Sequence, residues 1–99
     1  MRPIIHHPEA EAELIEAARF YNRRRPGLGD EFAAAVDAAV AVIAERPARF
    51  RVLEDDIRRC LLKRFPYSIL FREAAGAIQI LAFKHHARHP DYWKHRTAS

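Results

Sequence analysis

The chain has 99 residues, 49% hydrophobic and 30% charged, with a net charge of +4. This composition suits one folded domain over residues 1–99 and excludes a disordered chain. The longest apolar stretch, Phe32 to Ala44, is broken by Asp37 and is shorter than the ~20 residues of a membrane-spanning helix; with no secretory signal at the start and Cys60 as the sole cysteine, no membrane contact is expected and the cytoplasm is the expected location.

Ile4 and Ile5, after Pro3, suit a short first strand. His7-Pro8-Glu9 reads as a helix start, because proline fits a first helical turn and Glu9, Glu11 and Glu13 suit the positive end of the helix dipole. Ala10, Leu14, Ala17, Ala18 and Tyr21 recur at helical spacing on one face. Arg23-Arg24-Arg25 ends this helix, and Pro26-Gly27-Leu28-Gly29 is expected to be a turn. Phe32, Val36, Ala39, Val40 and Ile43 mark a second amphipathic helix that Pro47 stops. The short connection makes the two helices an antiparallel hairpin.

The pattern then changes to strands: Cys60-Leu61-Leu62, Ile69-Leu70-Phe71 and Ile78 to Phe83. Pro66 either interrupts the first of these or separates it from the second. Glu73-Ala74-Ala75-Gly76 is a tight turn that pairs the last two antiparallel, and Glu54-Asp55-Asp56 reads as a loop. The expected fold is α+β: an N-terminal strand, a two-helix hairpin, then a three-stranded antiparallel sheet covered by the helices on one face.

Charge is unevenly distributed. Residues 1–50 carry 7 Lys/Arg and 8 Asp/Glu, whereas residues 51–99 carry 10 and 5. A basic second half suits an anionic partner or a solvated face kept for solubility. His85, His86 and His89 lack the thiolates of a structural zinc site, and Pro90 breaks any helix that would align them, so no metal is expected. His6 and His7 read as a polar strand end. Ser68 has no Gly-x-Ser-x-Gly context, the acidic run Glu9 to Glu16 reads as a solvated helix face, and no glycine-rich phosphate loop exists, so no cofactor is expected.

The remaining candidates are cations on or after the strands: Arg58, Arg59, Lys63, Arg64, Arg72, Lys84, His85, His86 and Arg88, followed by Tyr92 and Trp93. Cations beside aromatic rings suit phosphates and bases. They also suit metal-free RNA cleavage, in which one group takes the 2′-hydroxyl proton, another protonates the leaving oxygen and arginines stabilise the charge. For Tyr92-Trp93 the alternative is a hydrophobic anchor that ties the tail to the sheet.

The chain resembles the RelE/ParE superfamily, the toxins of bacterial type II toxin–antitoxin pairs, often labelled plasmid stabilisation proteins. The resemblance runs from His7-Pro8-Glu9-Ala10-Glu11-Ala12-Glu13-Leu14 through Arg25-Pro26-Gly27-Leu28-Gly29 and Phe32. It continues with Arg58-Arg59-Cys60-Leu61-Leu62-Lys63-Arg64-Phe65-Pro66-Tyr67 and Phe71-Arg72, and ends with His86-Ala87-Arg88-His89-Pro90-Asp91-Tyr92-Trp93. It implies a helical hairpin on an antiparallel sheet, a cognate antitoxin as partner, and one of two activities. RelE-like members cleave mRNA on the ribosome; ParE-like members poison DNA gyrase. RelE-like members carry an arginine at the start of the penultimate strand, where this chain has Tyr67-Ser68, and His86-Ala87-Arg88 looks more like the ParE type. The ParE-like activity is therefore expected, with Arg58, Arg59, Lys63, Arg64, Arg88, Tyr92 and Trp93 as binding residues. A ribonuclease would instead use Arg72, Lys84, His86, Arg88 and Tyr92.

Overall fold

The computed structural model describes residues 2–98. Strand β1 (Ile4–His6) leads into helix α1 (Pro8–Arg24) and helix α2 (Leu28–Glu45). Strands β2 (Arg51–Glu54), β3 (Ile57–Leu61), β4 (Tyr67–Ala74) and β5 (Ala77–His85) follow, and a short 3-10 turn (Lys94–Ala98) ends the described chain.

Local chemistry sets the helix ends. His7 caps α1, its Nδ1 accepting the Glu9 N–H at 3.1 Å, and Pro8 occupies the first turn. Arg23 and Arg24 lie in the last turn, where the helix dipole favours cations. The interhelical turn is shorter than expected. Gly27 takes a left-handed backbone, φ +90°, while Leu28 and Gly29 already belong to α2. The Asn22 side-chain oxygen accepts the N–H groups of Gly27 at 3.1 Å and Gly29 at 2.8 Å, which caps the second helix from the first.

Gly29 is where the helices come closest. A Cβ there would lie 2.0 Å from the Ala18 carbonyl oxygen and 2.6 Å from Asn22 Cγ. Backbone cannot step aside as a flexible side chain can, so the hairpin itself would have to open. Gly29→Ala is expected to destabilise by at least the ~1–3 kcal/mol of core overpacking. Chemical denaturation measures it, and a loss under ~0.5 kcal/mol would show that the hairpin does not depend on this contact.

The sheet differs from the expected three antiparallel strands. It has five, in the order β1-β5-β4-β3-β2, and β1 runs parallel to β5, with Ile4 opposite Ile78 and His6 opposite Ile80. The other pairings are antiparallel. The loop expected at Glu54-Asp55-Asp56 is the turn of a β2–β3 hairpin, with Asp55 at φ +50°. The first expected strand begins earlier, at Ile57, and ends at Leu61, so Leu62 lies just outside it. Pro66 separates β3 from β4. The β4–β5 turn is Ala75-Gly76, both at positive φ, as a two-residue hairpin loop requires.

The helices cover one face of the sheet, here called the inner face. Phe32, Val36 and Ile43 of α2 and Ala10 and Ala17 of α1 are buried against Ile69, Phe71, Ile78, Ile80 and Phe83. Arg58 also belongs to this side: its guanidinium donates to the carbonyls of Phe50 at 2.7 Å and Ala48 at 3.3 Å, pinning the segment between α2 and β2. No helix among the described residues is long and apolar enough to cross a membrane.

Candidate functional site

The outer face of the sheet is half covered by the tail. Beyond β5 the chain turns at His85, whose backbone carbonyl accepts the Arg88 N–H at 3.0 Å and whose ring accepts the Ala87 N–H at 3.0 Å. Trp93 then buries itself, 1% exposed, among Ile57, Leu70, Leu81 and Ala82. This is the anchor that the sequence offered as an alternative to base stacking. The Trp93 indole N–H has no hydrogen-bond acceptor among the described residues.

A buried ion pair holds the rest of the tail. Arg96, 5% exposed, donates to both carboxylate oxygens of Glu13 at 2.9 and 3.1 Å and to the Leu81 carbonyl at 3.0 Å. Tyr92 donates its hydroxyl to the same carboxylate at 2.6 Å, and the Phe83 N–H reaches it at 3.1 Å. Glu13 and Arg96 thereby engage backbone groups of β5 beyond the point where β1 stops. Burial, the Glu13 hydrogen bond and that carboxylate's charge push the Tyr92 phenol well above its ordinary pKa. A phenol in that state is a poor proton carrier at neutral pH. The Arg88 guanidinium stacks on the Tyr92 ring, 3.9 Å from its centroid. Arg72 is also tied to the tail, donating to Gln79 at 2.8 Å and to the Thr97 carbonyl at 3.3 Å.

The uncovered part of the outer face is a groove of about 420 Å³. Its strands alternate, so Arg59, Ser68 and Lys84 project from β3, β4 and β5 to one side. His86 closes one wall, its Nε2 3.1 Å from Ser68 Oγ. Among the described residues Lys84 Nζ meets only the His85 carbonyl, at 3.3 Å, and no carboxylate pairs with Arg59. The groove therefore offers cationic and neutral donors to an anion, beside an apolar floor of Leu61 and Leu70 and two carboxylates, Glu54 and Asp91, that are paired with Lys94.

The structure thus divides the candidates. Arg59, Lys84, His86 and Trp93 line this groove. Arg88 and Tyr92 lie at the α1 side of the tail, and Arg72 lies beneath it. Lys63 and Arg64 follow β3 near α2, where Arg64 pairs with Glu31 at 2.7 Å and holds that carboxyl below its ordinary pKa. Among the described residues no group of three or more His, Cys, Asp or Glu side chains converges as a metal site would need.

Glu13 and Arg96 were not singled out from the sequence. A signal existed for Glu13, since it falls between Ala10 and Ala17 on the buried face of α1, unlike Glu9, Glu11 and Glu16.

Residues 4–90 match the family described as the ParE toxin of the type II toxin-antitoxin system parDE. The chain belongs to the ParE toxin family. It is thereby the toxin component of a type II toxin–antitoxin system. The fold agrees with a chain of the chromosomal ParDE TA system from P. aeruginosa, with a TM-score of 0.75 at 20% identity, covering 86% of this chain and 96% of that one. No curated protein matches the sequence closely. In this ParE-family chain the helices, the sheet and the groove's strand residues lie within the matched region, while Tyr92, Trp93 and Arg96 follow it.

Proposed function

We propose that this ParE-family toxin acts in the cytoplasm by inhibiting DNA gyrase and is neutralised by a cognate antitoxin. The family match over residues 4–90 carries this reading. The geometry supports it in one further respect. Metal-free RNA cleavage needs an acid, a base and a charge-stabilising arginine around one phosphate. Here Tyr92 is held by Glu13 and Arg72 by Gln79 and Thr97, away from Lys84 and His86.

Purified protein is expected to block gyrase supercoiling in vitro, and added antitoxin to restore it. Primer extension on mRNA from induced cells is expected to show intact transcripts. Codon-positioned cuts that vanish in Arg88→Ala, with supercoiling untouched, would reverse the assignment. A catalytic group typically contributes ~10²-fold or more to rate, so such a loss would be plain.

A further inference from the structure

We propose that the outer sheet face, along its β2 edge, docks an extended acidic segment of the protein that the toxin inhibits. The inference rests on the protein-target reading above and adds the surface and its ligand chemistry.

Arg51 of β2 stands directly opposite Arg59 of β3. Like charges at directly opposed sheet positions repel and destabilise the pairing. No carboxylate among the described residues pairs with either one. The acidic side chains closest in the groove wall, Glu54 and Asp91, are both taken by Lys94, at 3.2 and 3.0 Å. Arg51 and Arg59 are therefore left as an unneutralised cation pair, with Lys84 two strands beyond Arg59 on the same face. A row of carboxylates would satisfy these groups.

The ligand's shape follows from the edge. β2 ends the sheet, so its outer backbone groups have no strand partner among the described residues. Leu53 and Leu61 beside the cations are 41% and 53% exposed, unusually so for leucines on a sheet. An extended peptide that pairs with β2 presents alternate side chains to the outer face, where acidic and apolar residues would meet these two groups. Single-stranded nucleic acid fits less well. It binds through aromatic stacking platforms; of the groove's two aromatic rings, Trp93 is 1% exposed and the His86 imidazole is tied to Ser68 Oγ at 3.1 Å.

The test compares wild-type toxin with Arg51→Ala/Arg59→Ala. Fluorescence anisotropy with a synthetic peptide alternating Glu and Val reads docking, supercoiling reads inhibition, and antitoxin capture and melting temperature are controls. The double variant is expected to melt at or above the wild-type temperature, because a repulsive pair is gone, and to keep its antitoxin. Peptide affinity and gyrase inhibition are each expected to fall about tenfold or more, as removal of interface charges does. Unchanged peptide affinity, loss of antitoxin in place of loss of inhibition, or a preference for single-stranded DNA over the peptide would overturn the proposal. Full inhibition by the double variant would overturn the docking surface and leave the gyrase reading standing. Arginine-dependent peptide binding by a wild type that leaves supercoiling untouched would do the reverse.

Discussion

Glu13→Ala is expected to cost about 3–5 kcal/mol, the range for removing one partner of a buried ion pair. The carboxylate is 15% exposed and Arg96 is 5% exposed, so water cannot replace what is lost. Deleting it leaves the Arg96 guanidinium with the Leu81 carbonyl and the half-exposed Glu9 carboxylate, 3.3 Å from its Nε, and leaves the Tyr92 hydroxyl and the Phe83 N–H without their acceptor. The tail should then detach before the rest of the fold melts. Hydrogen exchange is expected to show protection lost first at residues 92–96 and at Phe83, with the helices still protected. Glu13→Gln keeps an acceptor and should lose less. A Glu13→Ala loss below ~1 kcal/mol in urea would mean that Trp93 and the remaining contacts suffice to hold the tail.

Phe32→Ala is expected to cost about 3–5 kcal/mol for a different reason, the cavity left by a fully buried ring. Phe32 is 0% exposed and sits 5.2 Å from the Tyr21 ring, 5.1 Å from Phe65 and 5.1 Å from Tyr67, measured between centroids. These rings come from α1, the β3–β4 connection and β4, so the cavity opens where helices and sheet meet. Phe32→Leu, which refills part of the volume, should recover a good share. Equal losses for both variants would mean that edge-on ring contacts, not volume, dominate.

The helical hairpin was legible because its apolar faces each repeat over about three turns, and a long periodic signal survives local noise. The β4–β5 hairpin was legible from Gly76 and the branched residues on either side. β2 was not. Arg51-Val52-Leu53-Glu54 is short, and a bulge between Val52 and Glu54 breaks the alternation by which a half-buried strand is recognised. The place of β1 in the sheet was also out of reach, since parallel pairing joins residues with no local turn to announce it. The run Pro26-Gly27-Leu28-Gly29 signals a turn, but Gly29 serves close helix packing instead.

Of the candidate site, the basic character of the second half was plain, but its division was not. Sequence order places Arg58 and Arg59 side by side, and strand alternation sends them to opposite faces, one to the Phe50 carbonyl and one to the groove. Lys84 and His86 reach the same groove for the converse reason, being two apart. Glu13 looked like one more solvated carboxylate because its partners, Tyr92 and Arg96, return to α1 only through the folded tail.

The parallel pairing of β1 with β5 also bears on how the protein comes into being. A ribosome delivers Ile4 long before its partner Ile78, so at ~5–20 residues per second the first strand waits roughly 4–15 seconds for a neighbour. The hairpin of helices can form meanwhile, but its apolar face has no complete sheet to rest on. Trp93 and Arg96, which fasten the outer face, emerge later still. The fold therefore closes in one late step, and a translation product stopped short of β5 has neither the mixed sheet nor the cationic groove. A cell that makes this toxin gains it only once β5 and the tail have been made.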